Sequence, residues 1–355
     1  MNASSSAPPL RFRFRGAEQV LPFGATFGVP AREGFTDTPP NEVQDIIAAV
    51  RGGRPWREEI SARFRQERAW LHDIILSPKR STFLTTTAPS LGDLTLDIGC
   101  GWGQLTLPIA RNGGAVVALE PVAERLGFVE AAALQDGCAE RIAFIGADYL
   151  DCEFEPAFST ILSIGVLEWA GAFQGEEDPQ GRQQRFLQKI RRDLKPGGTA
   201  IIGIENRMGL KYLLGCPDDH IGVPGIACLP ADLARRRWQE HSGHPLRSFT
   251  YSDVELTQRL RDAGFPQVEF FAAFPDYKLP EAIVSLDDGG KRLNEMILDG
   301  LNIAEHNGYN GQRLDPTLQE TLLHTYRSLA EQRIAHHFAP SFFVRATSAA
   351  RPRAH

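Results

Sequence analysis

The chain has 355 residues, of which 42% are hydrophobic and 23% charged, an ordinary globular balance that excludes wholesale disorder and a membrane-embedded protein. A formal net charge of −6 removes the broad attraction to phosphate backbones, so no nucleic-acid partner is expected, and Arg11, Arg13, Arg15 and Arg235, Arg236, Arg237 read as solvated faces. Five cysteines, Cys100, Cys138, Cys152, Cys216 and Cys228, show neither a CxxC pair nor zinc spacing with histidine and read as reduced thiols of a cytoplasmic protein. No apolar leader and no membrane-length apolar run is found, so no membrane partner is expected either.

Residues 1–9 and 349–355 read as frayed tails. Residues 10–76 form an N-terminal extension or cap: a short strand over 11–15, where Arg and Phe alternate, then helices over 41–51 and 56–75. From residue 94 the texture changes to short apolar runs, 94–98, 115–119, 142–145, 160–164 and 199–204, as buried parallel strands require. Amphipathic helices over 122–135 and 182–194 lie between them, the second stopped by Lys195-Pro196-Gly197-Gly198. The order is βαβα, hence an α/β sheet. Residues 205–245 are rich in Gly, Pro, Asp and His and read as an inserted lid. A helix over 251–263, a strand over 268–274, a second insert over 287–337 and a last strand over 341–347 complete the chain.

Leu96-Asp97-Ile98-Gly99-Cys100-Gly101-Trp102-Gly103 is a buried strand running into alternating glycines, which lets a backbone approach a ligand where a Cβ would clash. A dinucleotide fingerprint counted from Gly99 needs a third glycine where Gln104 stands, so that rival fits poorly. The second strand ends in Glu120, followed by Pro121, where a carboxylate can accept from a ribose diol. The third ends in Gly146-Ala147-Asp148-Tyr149, with Asp148 an acceptor for an exocyclic amine. Three consecutive strand ends thus point at one ligand.

On these residues, 77–348 resembles a class I S-adenosylmethionine-dependent methyltransferase. The resemblance implies a Rossmann-like, mostly parallel seven-stranded sheet with an antiparallel last strand, and S-adenosyl-L-methionine as cofactor. It places Asp97 near the methionine amino group, Gly99, Cys100, Gly101 and Gly103 under the methionine and ribose, and Glu120 on the ribose. The fourth strand leads through Ser163 and Gly165 to Glu168-Trp169. The family often has Glu-His there, so Trp169 removes a base from its usual position and instead lines the acceptor pocket or covers the sulfonium. A narrower resemblance, carried by residues 76–80, Ile204-Glu205-Asn206-Arg207 and Gly215-Cys216-Pro217-Asp218-Asp219-His220, is to enzymes of bacterial sugar, polysaccharide and natural-product assembly.

Methyl transfer from a sulfonium needs alignment, desolvation and a deprotonated nucleophile. His220, beside Asp218 and Asp219 in the loop after the fifth strand, is the candidate general base, with Asp219 as its partner. The acceptor pocket is assigned to Glu168, Trp169, Glu205, Asn206 and Tyr277. Cation binding by Asp218, Asp219, Glu205 and His220 is an alternative; the reading assigns no metal. The expected reaction is methylation of an oxygen or nitrogen of a small polar acceptor such as a sugar, an amino sugar or a natural-product intermediate, by a chain that could form a homodimer. A binding module without turnover and an enzyme acting on protein are the alternatives.

Overall fold

The computed structural model describes residues 8–28, 36–87, 89–91, 93–173, 177–303 and 315–349. Most of both expected tails, and the middle of the 287–337 insert, lie outside the described residues. The strands are β1 (Leu10–Phe14), β2 (Ala17–Leu21), β3 (Thr26–Gly28), β4 (Leu94–Ile98), β5 (Ala115–Leu119), β6 (Ile142–Gly146), β7 (Cys152–Phe154), β8 (Phe158–Ile164), β9 (Leu194–Glu205), β10 (Gln267–Phe274), β11 (Ala282–Ser285) and β12 (Ser341–Thr347).

Nine strands form one sheet in the order β11-β10-β12-β9-β8-β4-β5-β6-β3. The inner seven, β6 to β10 in that row, are the expected mostly parallel sheet, with β12 antiparallel to both β9 and β10. Sequence periodicity did not anticipate the two edge additions, β3 parallel to β6 and β11 antiparallel to β10. A separate sheet, β2-β1-β7, joins the N-terminus to the segment after β6.

The central runs are continuous in apolar residues because helices cover both faces. Along β5, Val116 and Ala118 face one core and Val117 and Leu119 the other, all essentially buried. One core takes helix Pro179–Asp193 and helix Asp253–Asp262; the other takes helices Pro40–Arg51 and Ala123–Gln135. The chain steps outward from β4 through β5 to β6, then returns to the other side of β4 with β8 and β9. That reversal opens a crevice beyond the carboxyl ends of β4 and β8, where ligands of open α/β sheets bind.

Two expected elements differ. The single helix over 56–75 is two helices, Trp56–Phe64 and Ala69–Leu76, because Arg68 leaves helical geometry at φ −135°. The break lets Phe64 and Leu71 both be fully buried, while Arg68 stacks on Phe64 and pairs with Glu42. Lys195–Gly198 does not stop the helix ahead of a strand; these residues bulge within β9, between the Leu194 and Thr199 pairings with β8. Among the described residues, no helix is long and apolar enough to cross a membrane.

Candidate functional site

Of the parallel strands, β4 delivers Gly99 and Gly101, β8 delivers Gly165 and β9 delivers Glu205 to the crevice. After β4, the Gly99 and Cys100 N–H groups donate to the Leu119 carbonyl at 2.7 and 3.1 Å, turning the loop back over β5. Gly99 has φ +64°, and a Cβ there would lie 2.7 Å from Val166 Cγ2, so only glycine fits this crossing. Glu120, at the end of β5, accepts from the Gly101 N–H at 2.9 Å and from the Val122 N–H at 3.0 Å, pinning the loop beside the next helix. Its burial raises its pKa above the ordinary carboxylate range. Beneath the loop, Asp97 accepts from Thr106 Oγ1 at 2.6 Å, and desolvation pushes its pKa up to about 6.

These loops open on a cavity of ≈ 110 Å³ walled by Gly99, Gly101 and Gln104 on one side and by Gly165, Glu168, Trp169, Glu205, His220 and Tyr277 on the other. Arg80 and Lys278 also reach it. Gly165, at φ +74°, would bring a Cβ to 2.7 Å from the Tyr277 hydroxyl, so the close fit of Tyr277 under the cavity depends on this glycine. Asp37 closes the edge over the glycine loop, paired with Arg125 at 2.8 Å and accepting from Trp102 Nε1 at 3.3 Å.

The far wall is a buried charge network. His220 Nε2 lies 3.7 Å from Glu168 Oε1 and 3.5 Å from Glu205 Oε2, while its Nδ1 lies 3.4 Å from Asp218 Oδ1. Glu205 pairs through its other oxygen with Lys278, which is also 3.3 Å from Asp276. Asp219 accepts from Lys211 at 2.9 Å and from the Tyr212 hydroxyl at 2.8 Å. Burial alone would push the His220 pKa down, but Glu205, Asp218 and Glu168 outweigh it and hold the imidazole well above its usual pKa. Burial likewise opposes ionisation of Asp219, yet Lys211 and Lys278 draw its pKa well below the ordinary range.

Residues 96–202 match the profile of a methyltransferase domain family. Over that segment the chain carries a methyltransferase domain. The chain is 30% identical over 186 residues to a ubiquinone biosynthesis O-methyltransferase of Ruegeria pomeroyi, covering 52% of this chain and 65% of that one. To the mitochondrial ubiquinone biosynthesis O-methyltransferase of Mus musculus it is 28% identical over 158 residues, 41% of this chain and 39% of that one. The chain therefore spans between 39% and 65% of the length of these two relatives. A phosphoethanolamine N-methyltransferase 2 of Haemonchus contortus with S-adenosyl-L-methionine superposes with a TM-score of 0.44 at 14% identity, covering 86% of this chain and 60% of that one.

Within the methyltransferase domain, the sequence-assigned residues divide sharply. Gly99, Gly101, Gly165, Glu168, Trp169, Glu205, Tyr277, Asp219 and His220 all line the cavity. Cys100 and Gly103 do not: the Cys100 thiol is buried in the core, and Gly103 faces Val129 and Leu107. Ser163 is buried within β8, and Pro121 follows Glu120 at the turn. Asp148 is already engaged, accepting from the Leu150 N–H at 2.9 Å and from Arg182 at 3.0 Å. Two assignments are corrected. The Tyr149 hydroxyl donates to Asp193 at 2.8 Å and its ring packs on Phe186, so it belongs to the core. Asn206 donates to the His337 and Ala339 carbonyls at 2.9 and 2.8 Å and accepts from the Met208 N–H, fixing a turn outside the cavity.

The proposed pairing of His220 with Asp219 is also corrected, because Asp219 is committed to Lys211 and Tyr212 and the carboxylate beside Nδ1 is Asp218. A histidine held protonated by three carboxylates is poorly suited to accept a proton. Sequence reasoning gave no role to Arg80, Lys278, Asp37 or Arg125. Arg80 closes the Leu76-to-Arg80 stretch that supported the resemblance, and Lys278 follows Tyr277; Asp37 and Arg125 carried no motif at all.

Proposed function

We propose that this protein transfers a methyl group from S-adenosyl-L-methionine to an oxygen of a small polar acceptor. The observation that carries the reading is the cavity at the β4/β8 reversal, with a glycine turn pinned by buried Glu120 on one side and an enclosed polar wall on the other. The residues present fit the cofactor: the left-handed glycine turn brings the backbone of Gly99 and Gly101 to the cavity wall, and buried Glu120 and Asp97 offer carboxylates for a ribose diol and an ammonium. Arg80, whose buried Nε has no hydrogen-bond partner, is placed to receive the cofactor carboxylate.

S-adenosylmethionine supplies an electrophilic methyl group on a sulfonium. The chain's own part is alignment and exclusion of water: Trp169, stacked on Phe173 and 5.1 Å from the His220 ring, and the buried Tyr277 shape the pocket around the acceptor. Oxygen is favoured over nitrogen by the relatives' names, both O-methyltransferases. A sugar or a natural-product intermediate is the finer reading, supported by the carboxylates and cations that line the cavity alongside Ile74, Ile164 and Trp169. Incubation with methyl-labelled cofactor and a panel of phenols, sugars, amino sugars and peptides tests this. Label is expected in a hydroxyl-bearing small molecule; label only in peptide, or cofactor binding with no transfer to any acceptor, would contradict the reading.

A further inference from the structure

The wall opposite the glycine turn holds a set of atoms that hydrogen bonding does not explain. Glu168 and Glu205 are each 1% exposed, and each has an Oε2 with no hydrogen-bond partner. Burying a carboxylate oxygen unpaired is costly, so such an atom needs a ligand. The Nε2 of His220 stands between the two, 3.5 and 3.7 Å from their nearest oxygens. Those separations are long for hydrogen bonds. They are close to the roughly 3.4 Å that separates two ligands held at about 2.1 Å from one ion at the tetrahedral angle.

We propose that Glu168, Glu205 and His220 bind one divalent transition cation, Mn²⁺ or Zn²⁺, on the cavity wall. The three ligand atoms lie within 4.8 Å of one another. Their surroundings match what an ion-binding histidine needs: Nδ1 faces Asp218 Oδ1 at 3.4 Å, a carboxylate that holds the ring by its charge, while Lys278 holds the second oxygen of Glu205. Two carboxylates with one imidazole suit a borderline cation better than Mg²⁺, which prefers all-oxygen shells and retains its waters. Three protein ligands leave positions open toward the cavity. Resting on the proposed methyl transfer, an acceptor hydroxyl bound there would have its pKa lowered by the ion and would lose its proton to solvent water, after which its oxygen would take the methyl as the S–CH3 bond breaks to leave the neutral thioether, S-adenosylhomocysteine. That fits a wall whose histidine is enclosed by carboxylates.

The test titrates the full chain, stripped with chelator, with Mn²⁺ while the free-ion spin-resonance spectrum is followed, and in parallel titrates S-adenosylhomocysteine by calorimetry. One Mn²⁺ per chain is expected. Glu168→Gln and His220→Ala should each weaken it by at least ~10-fold while changing S-adenosylhomocysteine affinity by less than ~3-fold. No stoichiometric uptake by the wild-type chain, which is the outcome if His220 is simply a buried imidazolium between two carboxylates, overturns the proposal. So does uptake that both substitutions leave unchanged. The wild-type stoichiometry decides alone, so a variant that fails to fold does not shelter the idea. Ion uptake without S-adenosylhomocysteine binding would instead remove the proposed function and leave the ion site standing.

Discussion

Asp97 shows how much one buried side chain can couple the fold to the ligand. Desolvation raises its pKa to about 6, although Thr106 donates to it and Arg80 lies nearby. A carboxyl whose folded pKa exceeds its unfolded value adds stability that is fully present below the unfolded value and lost as pH rises through about 6. The cofactor's ammonium calls for the ionised form, so affinity moves the opposite way. S-adenosylhomocysteine affinity, measured by calorimetry, should strengthen from about pH 5 to about pH 7, by at most ~10-fold per pH unit, and Asp97→Asn should flatten that dependence. An identical slope in Asp97→Asn would mean another group is titrating. Asp97 was legible from sequence because its strand and glycines are contiguous. Glu205 and His220 were grouped there with Asp218 and Asp219 as possible cation ligands, but Glu168 was not, because the contact between the loop after β8 and the segment beyond β9 depends on sheet order and no local pattern encodes it.

At the scale of elements, the loops that carry the site are tied by buried side chains in the helices behind them. Gln183, on helix Pro179–Asp193, donates to the Leu167 and Phe249 carbonyls, both at 2.9 Å, and accepts from the Tyr251 hydroxyl. It thereby links the loop after β8, which bears Glu168, to the segment entering helix Asp253–Asp262. Gln183→Leu would take this partner from the Phe249 carbonyl and the Tyr251 hydroxyl in the interior, at about 1–3 kcal/mol for a group left unpaired before relaxation, while the Leu167 carbonyl keeps the Ala170 N–H. Thermal denaturation should show a clearly lower melting temperature, and a variant melting with the wild type would show the tie to be dispensable. The buried strands β4, β5, β6, β8 and β12 were readable as apolar runs. β2, β3 and β11 were not, since each is five residues or fewer with most positions partly or fully exposed, and β7, buried at Cys152 and Phe154, has only three residues, so edge pairing leaves little periodicity to read.

At the scale of the whole molecule, the N-terminal segment is part of the site's enclosure. β3 extends the sheet beside β6, and Asp37 reaches over the glycine loop to Arg125 and Trp102. The sequence located this extension as a cap, but its key carboxylate was invisible because its partners lie far along the chain. Asp37→Ala would remove one partner of the nearly buried Arg125 guanidinium and the acceptor of Trp102 Nε1, so both chemical denaturation midpoint and cofactor residence time should fall. Unchanged cofactor dissociation would limit Asp37 to a structural part.

The account rests on the glycine turn and Glu120 together recognising one ligand. Calorimetric titration of S-adenosylhomocysteine into the wild-type chain and into Glu120→Ala tests it most directly. One site per chain is predicted, weakened in Glu120→Ala by at least ~10-fold, or about 1.4 kcal/mol, with the melting transition still cooperative. No binding by the wild-type chain, or equal affinity in the folded variant, would contradict it.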